Sequence, residues 1–99
     1  PIGWQAMLPM LSSEVEARDI RSAVEGVSGL AGFFRCWAAK EAILKSAGTG
    51  LKGGAPRIHL PREVISGQQD QFSLAHDGLT LRVEIFETGE LVLSRAMSV

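Results

Sequence analysis

The hydrophobic pattern near the start of the chain is typical of an α-helix. Apolar residues recur at near-helical spacing at Val15, Ile20 and Val24. Just before them, Ser13 followed three residues later by Glu16 matches a capping box, in which the serine side chain accepts a hydrogen bond from the first helical turn. The pattern predicts a helix over residues 13–25.

A stronger helical segment follows. Residues 30–47 contain no proline and are rich in alanine, leucine, lysine and glutamate, and Gly48 supplies the left-handed backbone that closes many helices. Residues 1–11, by contrast, include two prolines and show no clean period. We therefore expect an irregular lead-in there, with Trp4 and Met7 packed against the rest of the chain.

The second half of the chain has the short, alternating apolar runs of β-strands. Strands are predicted at residues 57–60, 72–76, 79–87 and 91–96. Asp77-Gly78 is a two-residue hairpin signal between two of them, so we expect an antiparallel meander. Helices followed by hairpin-linked strands predict an α+β fold, with the long helix laid across one face of an antiparallel sheet.

The composition is that of an ordinary globular domain and excludes several classes of function. Apolar residues make up 45% and charged residues 21% of the chain, and a net charge of −1 offers no attraction to nucleic acid or to an anionic membrane. No apolar stretch approaches the roughly 20 residues that span a bilayer, and no basic region resembling a signal peptide opens the chain. We therefore expect a cytoplasmic protein without nucleic-acid or membrane partners.

The cysteine and the two histidines are isolated. Cys36 has no second cysteine for a disulfide and lies in the apolar pattern of the second helix, which indicates buried packing. His59 and His76 lie in separate segments without the close pairing of a metal motif. We interpret both histidines as surface or strand residues.

The second helix carries the most informative residues. Trp37, Glu41 and Lys45 follow one another at intervals of four, which places them on one helical face. By spacing alone, Glu41 and Lys45 form an exposed ion pair that stabilises the helix by about 0.2–0.5 kcal/mol, with Trp37 in the core. The sequence of the whole segment favours a functional interpretation instead.

Residues 33–51 read Phe-Phe-Arg-Cys-Trp-x-x-Lys-Glu-Ala-x-x-Lys-x-x-Gly-x-Gly-Leu, which resembles the signature of surfactin-type 4′-phosphopantetheinyl transferases. The resemblance implies that residues 1–99 are one half of that fold, incomplete on the N-terminal side. Enzymes of the family move the phosphopantetheine arm of coenzyme A onto a serine of an acyl or peptidyl carrier protein, in fatty acid, polyketide or nonribosomal peptide biosynthesis. Adenosine 3′,5′-bisphosphate is the other product.

The resemblance also implies roles for individual residues. Glu41 corresponds to the glutamate that coordinates Mg²⁺ and is a candidate for deprotonating the serine, and Lys45 corresponds to the lysine that contacts a coenzyme A phosphate. Lys40 corresponds to a second lysine on the coenzyme A side, and Trp37 to the aromatic residue that seats the helix. These residue types suit the chemistry, because lysine is a compact positive charge and magnesium prefers oxygen ligands.

One part of the family pattern is absent from the 99 residues. A Gly-x-Asp-x-Glu strand normally precedes the first helix and supplies further magnesium ligands, but this chain opens with Pro1 rather than Met and contains no such segment. We therefore expect missing residues or another chain, whether a companion or a further copy in a homo-oligomer, to complete the site. Two alternatives stay open: a degenerate half-domain that binds a carrier protein or partner without chemistry, and a structural domain with an accidental motif.

Overall fold

The computed structural model of the chain describes residues 3–26, 29–48, 54–89 and 91–99 and has an α+β fold. In chain order its elements are α1 (Gly3–Leu11), α2 (Glu14–Glu25), α3 (Ala31–Ser46), a 3₁₀ helix (Ala55–Arg57), α4 (Arg62–Ile65), β1 (Gln71–His76), β2 (Leu79–Thr88) and β3 (Leu91–Ser98). The prediction of a small α+β domain with an antiparallel sheet is confirmed. In the described ranges, no helix has the length and apolar character that crossing a membrane requires.

The three strands form an antiparallel sheet in the order β1-β2-β3. The predicted hairpin turn is present, because Asp77 and Gly78 both have positive φ, at 50° and 77°, as the favoured two-residue turn requires. Alternate residues of β2 face the core and are buried, namely Leu81, Val83 and Ile85. Among the described residues, β3 pairs only with β2, so its other edge is open.

Helices α2 and α3 cross at very short range. Helix α2 begins as the capping box predicts, because the Ser13 hydroxyl accepts a hydrogen bond from the Glu16 amide at 3.3 Å. Helix α3 approaches it at Gly32, where an added Cβ would lie 2.6 Å from the Cβ of Ala23. The glycine therefore permits the contact, and the rest of α3 packs against β3 and β2.

The expectation of an irregular lead-in is wrong, because residues 3–11 form α1. The apolar residues of this segment do follow a helical spacing, at Trp4, Met7, Leu8 and Leu11. Pro9 hides that pattern, because a proline inside a helix removes a backbone hydrogen bond and crowds the carbonyl four residues earlier. The packing expected of Trp4 and Met7 is confirmed, since both are partly buried against the core.

The strand predicted at residues 57–60 is not formed. Ile58 and Leu60 are buried and His59 is exposed, so the two-residue alternation is present. The segment nevertheless belongs to no strand ladder, and the Leu60 amide donates to the Glu16 carboxylate at 2.7 Å. Alternation predicts which side chains are buried, whereas a strand also needs a neighbouring strand to pair with.

Arg35 connects α3 to the sheet and to the segment before it. Its side chain is 1% exposed. The guanidinium donates to four acceptors within 3.0 Å: the carbonyls of Val64 and Gln69 and the carboxylates of Asp70 and Glu87. Because these acceptors lie on α4, before β1 and on β2, one side chain fixes the first half of α3 against three parts of the fold.

Candidate functional site

An open groove of about 460 Å³ lies between α3 and the edge strand β3. Its helical wall consists of Ala38, Glu41, Ala42, Lys45 and Ser46, and its other wall is residues 92–96 of β3. The two alanines leave space between helix and strand. The Ser46 hydroxyl donates to the Ala96 carbonyl at 3.3 Å and joins the two walls.

Glu41 and Lys45 both line this groove and are both exposed. Among the residues that the structure describes, they form no ion pair with each other or with another side chain. The structure therefore does not contain the simple helix-stabilising pair that the four-residue spacing also permits. It leaves a carboxylate and an ammonium side by side at the surface of one groove, free to contact a ligand.

Trp37 lies one turn before Glu41 and packs inward. It is half-buried, and its ring centroid is 6.0 Å from that of Phe33. Phe33 in turn lies 6.0 Å from the ring of Trp4 on α1. This aromatic cluster packs the first half of α3 against α1.

Lys40 does not reach the groove. Its side chain is 0% exposed, and its ammonium donates to the Glu16 carboxylate, to the Leu11 carbonyl at 2.8 Å and to the Ala55 carbonyl at 2.9 Å. An ammonium has three protons to donate, and all three are engaged. In this arrangement Lys40 has no donor left for a coenzyme A phosphate, so the structure does not bring it together with Glu41 and Lys45.

Sequence reasoning missed both the burial of Lys40 and the role of Glu16. The spacing of α3 contains the signal, because Lys40 lies four residues after Cys36 and three before Ile43, and both of these are fully buried. Glu16 was not recognisable as the partner of Lys40, because the capping-box pattern already accounts for a glutamate at that position. In the structure the Glu16 carboxylate is 2% exposed and faces the core.

Arg95 is a charged groove residue that the motif does not reveal. It lies on β3 and reaches the groove through strand pairing, which has no signature near the motif. Its guanidinium pairs with Glu84 at 2.7 Å and lies 5.6 Å from the centre of the Phe86 ring. The charge of Arg95 is therefore already paired with Glu84 on the outer face of the sheet, although the residue lines the groove.

Oxygen ligands for a divalent cation are few at the groove. Glu41 is the one carboxylate among the described residues that line it. Within residues 3–26, 29–48, 54–89 and 91–99, no three histidine, cysteine or acidic side chains are grouped to hold a metal. Magnesium prefers octahedral coordination by oxygen, often from water and substrate phosphates. The groove fits one protein ligand of such an ion and does not form a metal site by itself.

Cys36 is buried beside the Glu16–Lys40 pair, as the sequence predicts for a packing residue. Its side chain is 0% exposed, and its sulfur lies 3.9 Å from the Ser12 hydroxyl. Burial, followed by the nearby Glu16 carboxylate, raises the pKa of the Cys36 thiol from 9.0 to about 12. A thiol that stays protonated is a poor nucleophile, so Cys36 is a structural residue.

The raised pKa of Cys36 predicts a loss of stability in alkali. Between pH 9 and pH 11 the unfolded chain releases the thiol proton while the folded chain keeps it, so the free energy of unfolding falls by about 2–3 kcal/mol. Urea unfolding at pH 8, 9, 10 and 11 measures this loss, and Cys36→Ala should reduce it by that amount. Equal pH dependence in the two chains would contradict the prediction.

Comparison with known families gives a match over most of the chain. A family model of the 4′-phosphopantetheinyl transferase superfamily matches residues 4–94. The matched range runs from α1 into β3 and includes the helical wall of the groove and residues 92–94 of the other wall. No curated protein and no solved structure gave a significant match.

Proposed function

Because the chain belongs to the 4′-phosphopantetheinyl transferase superfamily, we propose that it transfers the phosphopantetheine arm of coenzyme A to a serine of an acyl or peptidyl carrier protein. We assign it to the surfactin-type branch on the motif formed by Trp37, Lys40, Glu41 and Lys45. The observation that carries the proposal is that Glu41 and Lys45, the two motif residues with ionisable groups free for a ligand, line one groove.

The reaction defines what such a groove must supply. The serine oxygen of the carrier protein bonds to the phosphorus that bears the pantetheine arm, and the bond from that phosphorus to the bridging oxygen breaks. Adenosine 3′,5′-bisphosphate leaves with the electron pair, and the serine loses its proton. The site therefore needs positive charge at the phosphates and an acceptor for the serine proton.

Lys45 suits the first requirement. It is exposed at the groove, no described side chain competes for its ammonium, and it lies near the C-terminal end of α3. We assign Lys45 to a phosphate of coenzyme A, where a mobile point charge follows the oxygens as negative charge shifts among them.

Glu41 suits the second requirement, one turn away from Lys45. Its carboxylate accepts a hydrogen bond from the carrier serine and takes up the proton as the oxygen attacks. Glu41 is also the residue of this chain that would ligate magnesium, an ion that neutralises phosphate charge when bound. The remaining ligands would come from coenzyme A, from water, and from missing residues or another chain that completes the site.

Calorimetric titration of coenzyme A into the chain with magnesium present tests the assignment of Lys45. Replacing Lys45 by alanine should weaken binding at least about tenfold, because a charge-assisted contact to phosphate contributes about 1.5–3 kcal/mol. Arg21→Ala is a matched control, since it removes an exposed cation from α2, away from the groove.

Equal affinity in the unaltered chain and the Lys45→Ala variant would overturn the assignment. Binding of coenzyme A only after a second chain is added would indicate a site completed from outside residues 1–99. Binding of a carrier protein that is unaffected by Glu41→Gln, without any transfer, would favour the non-catalytic half-domain instead.

The surface around β3 supports the proposal that another chain completes the site. Large apolar side chains are exposed on the outer face of β2 and β3, namely Phe86, Leu91, Leu93 and Met97. Leu93 is 53% exposed, and it belongs to the same strand whose open edge lines the groove. Open strand edges and contiguous apolar surface are the features that other chains cover. We assign this surface to a second copy or a companion chain.

Light scattering on the purified chain tests the homo-oligomer. We expect more than one copy per particle in the unaltered chain and a monomer for Leu93→Glu. Val15→Glu is the control, because Val15 is 65% exposed on α2 and lies away from β3. A monomeric unaltered chain would exclude the homo-oligomer and leave the companion chain.

A further inference from the structure

The middle of α3 is held by a buried ion pair that connects five segments. Lys40 and Glu16 are 0% and 2% exposed, and the Lys40 ammonium also donates to Leu11 at the end of α1 and to Ala55 of the 3₁₀ helix. The second carboxylate oxygen of Glu16 accepts the Leu60 amide at 2.7 Å. Every strong polar group of the pair therefore has a partner on a different part of the fold.

The attraction between the two opposite charges does not by itself account for this arrangement. Removing two charges from water is expensive, and well-packed apolar residues of similar volume often stabilise a protein equally well or better. The neighbouring positions on the two helices, within four residues of Glu16 or Lys40, include the fully buried apolar side chains of Ile20, Cys36 and Ile43. An apolar pair at positions 16 and 40 would avoid that cost, but it would take away the partners of the Leu60 amide and of the Leu11 and Ala55 carbonyls.

The ion pair also constrains the orientation of α3. Apolar side chains tolerate a small rotation or slide of a helix, whereas the Lys40 ammonium must point at three acceptors on three segments at once. This fixes both the rotation of α3 about its axis and its position along that axis. Glu41 is the next residue along the helix, and Lys45 lies one turn further, so both are oriented by the same constraint.

We propose that Glu16 and Lys40 are positioning residues, which set the rotation of α3 so that Glu41 and Lys45 face the groove beside β3. The inference rests on the proposed function only where it connects this orientation to coenzyme A. It assigns the motif lysine Lys40 to the architecture of the site rather than to a phosphate.

The test replaces both partners at once, in the variant Glu16→Gln/Lys40→Met, so that no unpaired charge stays buried. Residual dipolar couplings of the α3 amides report the orientation of the helix against the sheet, and calorimetry with coenzyme A and magnesium reports the site. We expect changed couplings across α3 and coenzyme A binding weaker by about tenfold or more, because small misplacements of binding groups are costly.

The control is Ile65→Ala, which removes a fully buried side chain from α4 without touching the ion pair. It should lower stability while leaving the α3 couplings and the affinity unchanged. If the double variant does not fold, Glu16→Asp serves the same measurements, because it keeps both charges but withdraws the carboxylate by one methylene.

Unchanged couplings in the folded variant would overturn the inference, whatever the affinity. The failure of the proposed function has a different signature: the unaltered chain would not bind coenzyme A even with its completing partner. In that case the couplings alone still decide whether the pair orients α3.

Discussion

Replacing Lys40 by methionine is expected to lower the free energy of unfolding by about 3–5 kcal/mol, because it strands the Glu16 carboxylate in the core without its partner. The loss is large beside the total stability of about 5–15 kcal/mol that is usual for a domain. A chain of 99 residues buries less of its surface than larger domains do, so most of its stability would be lost. Urea or thermal unfolding followed by circular dichroism measures the change.

The double variant Glu16→Gln/Lys40→Met is the matched control for this prediction. With both charges removed, it should be more stable than the Lys40→Met chain by about 0.5–3 kcal/mol, the usual range of coupling between contacting residues. A double variant that is no more stable than the single one would show that Glu16 is not stranded by the loss of Lys40. Glu16 and Lys40 would then not stabilise the fold as a coupled pair.

Replacing Glu41 by glutamine is expected to slow transfer to the carrier protein by about 100-fold to 1,000-fold, while leaving the fold intact. Glutamine keeps the size of the side chain but neither takes up the serine proton nor offers magnesium a negative oxygen, and such contributions are worth several kcal/mol of barrier. The side chain is exposed and unpaired among the described residues, so stability should not change. The mass of the carrier protein reports the attached arm directly.

The assay for Glu41→Gln uses whatever assembly supports transfer by the unaltered chain. Glu25→Gln, at the exposed end of α2, is the control for the loss of one surface carboxylate. Transfer at the unaltered rate by the Glu41→Gln chain would remove Glu41 from the chemistry, and it would favour a half-domain that only binds its partners.

The parts of the fold that could be predicted from sequence are those with a local cause. The capping serine Ser13 marks the start of α2, and Asp77-Gly78 adopts the positive φ angles that close the hairpin. Pro9 concealed α1, because a proline is a strong local signal against a helix that packing nonetheless stabilises. The false strand at 57–60 had the right alternation but no neighbour to pair with.

The candidate site likewise has features that could be predicted from the sequence and features that could not. The four-residue spacing correctly placed Glu41 and Lys45 on one face, and that face lines the groove. The burial of Lys40 depends on its ion pair with Glu16, 24 residues earlier in the chain. Arg95 is placed at the groove by the pairing of β3 with β2. Such partners are chosen by tertiary packing, and a single sequence does not reveal which distant residues will meet.

The four hydrogen bonds of Arg35 have a consequence for how the molecule comes apart. They attach α3 to α4 and to the sheet through one buried side chain, so the helices cannot leave the sheet without breaking all four hydrogen bonds together. Partial opening in which the sheet detaches whole is therefore disfavoured. The helical layer and the strands should melt as one cooperative unit, with amide protons in both exchanging through the same global event.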